Sequence, residues 1–163
     1  MSNRVIRLGG SSIGNNPSIL NLKEYVNKTG GRKYIVVSAI PELLKLLNES
    51  LTSVFKQKPA GNELVERISN EFTSRLQQSP SPEFSLLTSQ VVNLLKGIAL
   101  TGDYSKALRD QVLSFSEKLS VEILKYIWKE DVVIYPEEIE LRATTDFGNA
   151  TFVSVSSDKI ERL

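Results

Sequence analysis

Val5-Ile6-Arg7-Leu8-Gly9-Gly10-Ser11-Ser12 is a short apolar stretch that breaks into paired glycines and then hydroxyls. Asn3 to Leu8, rich in Val, Ile and Leu, reads as a buried strand, and Gly9 to Asn16 as a loop. Pro17 suits the first turn of a helix on which Ile19, Leu22, Tyr25 and Val26 recur at helical spacing, until Thr29-Gly30-Gly31 ends it. Strand, loop and helix make half a βαβ unit. Tyr34-Ile35-Val36-Val37-Ser38-Ala39 supplies the next strand, nearly all apolar as a parallel strand covered on both faces is, reached by a right-handed crossover. The loop also suits a phosphate cradle. Gly9 and Gly10 lack a Cβ and can turn their N–H groups toward an anion, and the helix start beyond them adds partial positive charge. The same glycines suit a tight turn that binds nothing.

Beyond Ala39 the pattern turns helical. Leu43, Leu44, Leu46, Leu47, Leu51 and Val54 line one broad face of a helix from Pro41, and Lys56 to Gly61 breaks it. A further helix is predicted over 63–77. Ser79-Pro80-Ser81-Pro82 forms a connector whose prolines disfavour continued helix. Two more helices are predicted over 84–100 and 104–129, separated by Thr101-Gly102-Asp103 with Asp103 as candidate cap. Asp131-Val132-Val133-Ile134-Tyr135 reads as a third strand stopped by Pro136. Ala150 to Val155 reads as a fourth extended segment, and Ser156 to Leu163 as the start of a helix. The order of elements predicts an α/β fold, a partial three-layer sandwich with a mainly parallel sheet and a helical insertion.

With 163 residues, 40% of them hydrophobic, the chain suits one domain with a substantial core. Lys plus Arg number 20 against 19 Asp plus Glu, so no overall charge excess favours nucleic acid or an anionic membrane. No apolar run of the roughly 18 residues of a membrane span stands out, and Met1-Ser2-Asn3-Arg4 leads into a strand rather than a secretory segment, which predicts a cytoplasmic protein. The chain has no Cys and no His. That removes disulfides, thiol nucleophiles, Ser-His triads and the usual nitrogen and sulfur ligands of zinc. Phosphoryl transfer to a carboxylate survives this filter, because a carboxylate of pKa about 4 is already ionised at neutral pH and needs no general base.

Three residues break their local pattern. Glu117 falls on one line with Leu113, Val121, Leu124 and Trp128 of the long helix, where its carboxylate either enters the core to hold a cationic ligand group or lies at the edge of the apolar arc, bonded to Lys118 or solvent. Arg7 interrupts a buried strand just before the glycines. In parallel sheets ligands bind at the carboxyl ends of strands, so Arg7 either points to the same place as the Gly9 and Gly10 amides or simply reaches solvent. Ser38, at the end of the second strand, shares that rim or is an ordinary strand-end hydroxyl.

Together these pieces resemble the N-terminal part of the catalytic domain of aspartate kinases, in the amino acid kinase superfamily. Arg7-Leu8-Gly9-Gly10-Ser11-Ser12 is similar to the family's Lys-Phe-Gly-Gly-Thr-Ser, and Val36-Val37-Ser38-Ala39 to its Val-Val-Ser-Ala strand end. Ser116-Glu117-Lys118-Leu119-Ser120 resembles Gly-Glu-x-x-Ser on a long helix, and Thr145-Asp146-Phe147-Gly148-Asn149-Ala150 resembles a Thr-Asp followed by Phe-Gly-Asn-Ala. The four motifs occur in order across nearly the whole chain.

The resemblance implies phosphorylation of the β-carboxylate of L-aspartate by MgATP, on the route to lysine, threonine and methionine. It implies that Arg7 stands where a lysine neutralises the transferring phosphates, that Gly9, Gly10 and Ser11 belong to the phosphate loop, and that Ser38 and Glu117 bind the substrate, Glu117 through its ammonium. ATP and Mg2+ are expected in the intact enzyme and no tightly bound group in this chain, which the resemblance takes as 1–163 of a catalytic domain without its nucleotide lobe and ACT domains. The intact protein is expected to be a homo-oligomer. Three departures accompany the likeness. Arg7 offers a planar fork in place of a compact ammonium; Ile40-Pro41-Glu42-Leu43 replaces a Gly-x-Thr-Asn or Gly-x-Thr-Asp turn whose threonine contacts substrate; Ser116 replaces glycine. A noncatalytic binding or regulatory module with a degenerate kinase fold is the alternative, and another acyl phosphate kinase, acting on glutamate or N-acetylglutamate, a third.

Overall fold

The computed structural model describes residues 3–14, 16–55, 61–128 and 132–162. In chain order these form β1 (Asn3–Leu8), a 3-10 turn (Gly10–Ser12), α1 (Asn16–Lys28), β2 (Arg32–Val37), α2 (Pro41–Phe55), α3 (Asn62–Leu76), α4 (Pro82–Thr101), α5 (Lys106–Ile127), β3 (Arg142–Ala143), β4 (Phe152–Ser154) and α6 (Ser157–Glu161). Asn15, the 56–60 part of the predicted break, Lys129, Asp131 and Leu163 lie outside the described residues, as does the side chain of Ile19.

β1 and β2 pair in parallel from Asn3↔Arg32 to Leu8↔Val37, with α1 between them in sequence as a βαβ unit requires. The Ser38 amide donates to Leu8 O at 3.1 Å and carries the ladder one residue past the strands. Ile6, Leu8, Ile35 and Val37 face the core. The opposite face leaves Val5 73% and Val36 53% exposed, so among the described residues these apolar strands are covered on one face, not on both as their composition suggested.

α2 to α5 pack on one another and hold most of the core. α2 buries Leu43, Leu46, Leu47, Leu51 and Val54 at three- and four-residue spacing, while Leu44 faces outward. Phe72 of α3 is fully buried between Phe84 of α4 and Tyr126 of α5, with ring centroids 4.8 and 5.8 Å away. The Ser-Pro pair that was to end the connector starts α4 instead: Ser81 Oγ accepts from the Phe84 amide at 3.1 Å, and Pro82 occupies the first turn, where no amide is needed. Gly102 closes α4 at φ 65°. The cap of α5 is Ser105, whose hydroxyl accepts from the Leu108 amide at 3.3 Å, and not Asp103. α4 is long and apolar enough to cross a membrane by length and composition, which the expectation of no such run missed. Its Phe84, Val91, Val92, Leu95 and Ile98 are buried among the neighbouring helices, while Leu86 and Leu100 are exposed.

The predicted third strand does not form over 132–135. Val132 is 85% exposed, the Tyr135 amide donates to Glu138 Oε1 at 2.8 Å, and the chain then turns so that the Leu141 amide reaches Pro136 O at 2.9 Å. A run of β-formers becomes a strand only beside another strand, and this one lies against α5 through Tyr135 and Glu122. The fourth extended segment does form, as β4, but it pairs antiparallel with β3 in a hairpin and does not extend the parallel sheet. The fold is therefore mixed α/β and mostly helical, with two small sheets.

Candidate functional site

Two loops leave the carboxyl ends of β1 and β2 side by side. In the first, Gly9 is extended at φ −73° and ψ 157° and opens the 3-10 turn, closed by bonds from the Ser12 amide to Gly9 O (2.9 Å) and from the Ile13 amide to Gly10 O (3.2 Å). The turn's own bonds leave the amides of Gly10 and Ser11 unused, as at the start of any helix. A Cβ on Gly9 would meet nothing within 4 Å. One on Gly10 would lie 2.7 Å from Ala39 O and 3.2 Å from the Pro41 ring. Gly10 is thus required by the second loop, whatever the first one binds.

The second loop, Ser38-Ala39-Ile40, is tied to α5. The Ile40 amide donates to Ser120 Oγ at 2.8 Å, and Ser120 Oγ donates to Ser116 O at 2.6 Å. Ser116 and Ser120 are fully buried, and Ser116 donates to Leu113 O at 2.6 Å. A serine hydroxyl satisfied by its own helix enters a core without an orphan polar atom. The helix turns a stripe of Val112, Ser116, Leu119, Ser120 and Ile123 inward, together with Leu124 and Trp128 of the line that apolar periodicity suggested, whereas Leu113 and Val121 of that line are only partly buried. Glu117 lies outside that stripe and is exposed; it does not enter the core. Arg7 is exposed as well, on the outer face of β1 opposite Val36. Among the described residues neither has a hydrogen-bond or ion-pair partner.

Gly9, Gly10 and the Ser11 backbone are thus brought to the rim that holds half-buried Ser38, with the Ser116–Ser120 turn of α5 bonded to it. Thr145–Ala150 lies elsewhere, at the tip of the β3–β4 hairpin, pinned by a bond from the Gly148 amide to Asp110 Oδ2 at 2.6 Å near the start of α5.

Two features escaped the sequence reading. Arg75 of α3 reaches the loop that follows the 3-10 turn. Glu122, not Glu117, is the buried carboxylate of α5: it is 6% exposed, accepts from Tyr135 Oη at 3.1 Å and pairs with Lys125 Nζ at 3.6 Å. Across the same contact Lys118 Nζ lies 2.9 Å from Glu137 and 5.8 Å from the centre of the Tyr135 ring. The Lys118 hydrogen bond lowers the Glu137 pKa. Burial, with the charge of Glu122 and its hydrogen bond, pushes the Tyr135 hydroxyl up to about 12. Its stabilising effect is complete below the unfolded value near 10 and is lost as pH rises toward 12, because the unfolded chain ionises first. Tyr135→Phe should flatten that alkaline loss of stability, read as Tm against pH, and abolish the latest tyrosinate step in absorbance at 295 nm. A late step that survives the substitution would refute the assignment.

With a parallel strand pair whose exit loops meet a buried-serine turn of a long helix, the chain has a fold similar to that of solved enzyme structures. Its likeness is to the aspartokinases. Escherichia coli aspartokinase III in complex with aspartate and ADP, in its R-state, superposes with a TM-score of 0.75 at 20% identity over 93% of this chain and 35% of that one. The same enzyme with lysine and aspartate, in its T-state, gives 0.72 at 22% identity over 92% and 35%. The aspartate kinase of Clostridium acetobutylicum gives 0.59 at 20% over 80% and 30%. The chain spans about a third of the length of these structures. No protein-family model and no curated protein sequence matches the chain.

Proposed function

We propose that this chain is the N-terminal part of the catalytic domain of an aspartate kinase, a phosphotransferase that moves the γ-phosphoryl of MgATP to the β-carboxylate of L-aspartate in lysine, threonine and methionine biosynthesis. The observation that carries it is the joining of Gly9-Gly10, Ser38 and the Glu117-bearing turn of α5 at the carboxyl ends of two parallel strands. In this reading Gly9, Gly10 and Ser11 offer amides to the ATP phosphates, and the exposed Arg7 guanidinium offsets their charge. Glu117 takes the substrate ammonium, and Ser38 lines the substrate pocket. A carboxylate nucleophile needs no base, which agrees with a chain that has no histidine. Among the described residues no three carboxylates converge on a metal position, so magnesium would arrive on the triphosphate. β1 and β2 would then be the first strands of the mainly parallel sheet of a three-layer sandwich. The nucleotide lobe and the ACT domains lie in the remainder of a cytoplasmic, homo-oligomeric parent.

A noncatalytic module has one observation in its favour. The position of the family's substrate threonine falls in a turn whose Ile40 is fully buried and whose amide is spent on Ser120, so the turn offers no hydroxyl. Aspartate-dependent ATP turnover by the full-length gene product at saturating magnesium separates the two. Turnover is expected for the full-length protein and not for the 163-residue chain alone. An inactive full-length protein supports the module, and aspartate-dependent ADP release by the short chain would overturn the assignment as one part of a larger catalytic domain.

A further inference from the structure

Arg75 sits on α3, far in sequence from every motif above, and its side chain is only 8% exposed. Its guanidinium makes four contacts. Nη1 donates to Ile13 O at 3.5 Å and to Gly14 O, both on the loop that continues the glycine turn. Nη2 lies 3.0 Å from Glu42 Oε2 in the first turn of α2 and 3.0 Å from Glu71 Oε2 one turn back on α3. Glu42 follows directly on the Ser38–Pro41 loop. One buried cation therefore clasps the exit of the β1 loop and the exit of the β2 loop, whose earlier residues Gly10 and Ala39 also pack together.

We infer that Arg75 is a positioning residue, which holds the two strand-end loops in fixed relation and so shapes the rim on which the proposed phosphate and aspartate sites lie. Only a planar fork serves this. A lysine keeps the charge but presents a single point, so it cannot reach two carbonyls on one side and two carboxylates on the other. Arg75 touches no proposed substrate atom; it acts through the loops. Its functional consequence rests on the aspartate kinase reading, whereas its structural consequence does not.

The test is amide hydrogen exchange of the 163-residue chain and its Arg75→Lys variant. The reporters are Ser12 and Ile13, whose amides close the glycine turn, and Leu44, whose amide bonds Ile40 O at 3.1 Å at the start of α2. Buried amides of α4 and α5 serve as the global reference. Loss of charge-assisted bonds should speed exchange about tenfold or more at all three reporters and leave the reference unchanged. Unchanged reporters would overturn the inference, as would a uniform acceleration everywhere, the mark of general destabilisation. Should Arg75→Lys fail to fold, Glu42→Gln decides. It sits at a half-exposed carboxylate on α2, yet it should loosen Ser12 and Ile13 several-fold through Arg75, and an effect confined to Leu44 would overturn the clasp. In the full-length protein Arg75→Lys should raise KM for MgATP more than it lowers kcat. A full-length protein without turnover would defeat the functional reading and leave the exchange result to decide this one.

Discussion

Glu117→Ala in the full-length protein is expected to lower kcat/KM for aspartate about a hundredfold, the loss of one charge-assisted hydrogen bond to a substrate cation. The fold itself should not notice. Glu117 is exposed, outside the buried stripe of α5, and without a hydrogen-bond or ion-pair partner among the described residues, so its removal leaves no orphaned group in the core. A carboxylate without a partner among the described residues, on a helical turn tied to the Ser38–Ile40 loop by Ser120, is available for the ligand of the proposed site. Glu117→Gln separates charge from shape, since it preserves hydrogen bonding and should still lose most of the effect. The Tm and circular dichroism of the 163-residue chain should match between wild type and both variants. Equal kcat/KM for wild type and Glu117→Ala would remove this residue from the site.

Gly10→Ala is expected to destabilise the chain by about 1–3 kcal/mol, the usual cost of forcing an extra methyl into a packed contact. For a domain of this size that lowers Tm by roughly 2–12 °C. The new Cβ would lie 2.7 Å from the Ala39 carbonyl, a backbone atom that moves only if one of the two strand-end loops moves. The neighbouring glycine supplies the control. Gly9 has an extended backbone that any residue adopts and open space around its would-be Cβ, so Gly9→Ala should change Tm by about 2 °C at most. The pair also separates packing from ligand. Nucleotide binding by the full-length protein should fall in Gly10→Ala because the loops part, and in Gly9→Ala only where the phosphate itself approaches that Cα. Equal Tm values for the two variants would contradict the packing account of Gly10.

Elements with strong local signals were legible in the sequence. Apolar runs marked β1 and β2, leucines at three- and four-residue spacing marked α2, and the Thr101-Gly102-Asp103 break marked the end of α4. The candidate site was legible where it depended on chain order: the glycines follow a strand, and Ser38 ends the next. Val132-Val133-Ile134-Tyr135 was not, because β-propensity describes fit to a neighbouring strand and this segment found a helix. The inward face of α5 was misread for a related reason. Ser116 and Ser120 look polar in sequence, but each donates a hydrogen bond to a carbonyl of its own helix and is fully buried, so the core stripe runs through them beside Leu119 and Leu124 and leaves Glu117 at the surface.

The sequence by itself determined the βαβ start, the helical middle and the chemistry left open to a chain without histidine or cysteine, since propensity, periodicity and composition act over a few neighbouring residues. Tertiary structure alone decided the contacts that bridge distant stretches: Gly10 against Ala39, Ser120 on the Ile40 amide, Arg75 across both loops, and Tyr135 on the buried Glu122. Each depends on two groups from different segments of the chain meeting at hydrogen-bond or van der Waals distance, and which polar groups satisfy one another in a core is set by packing, not by local pattern.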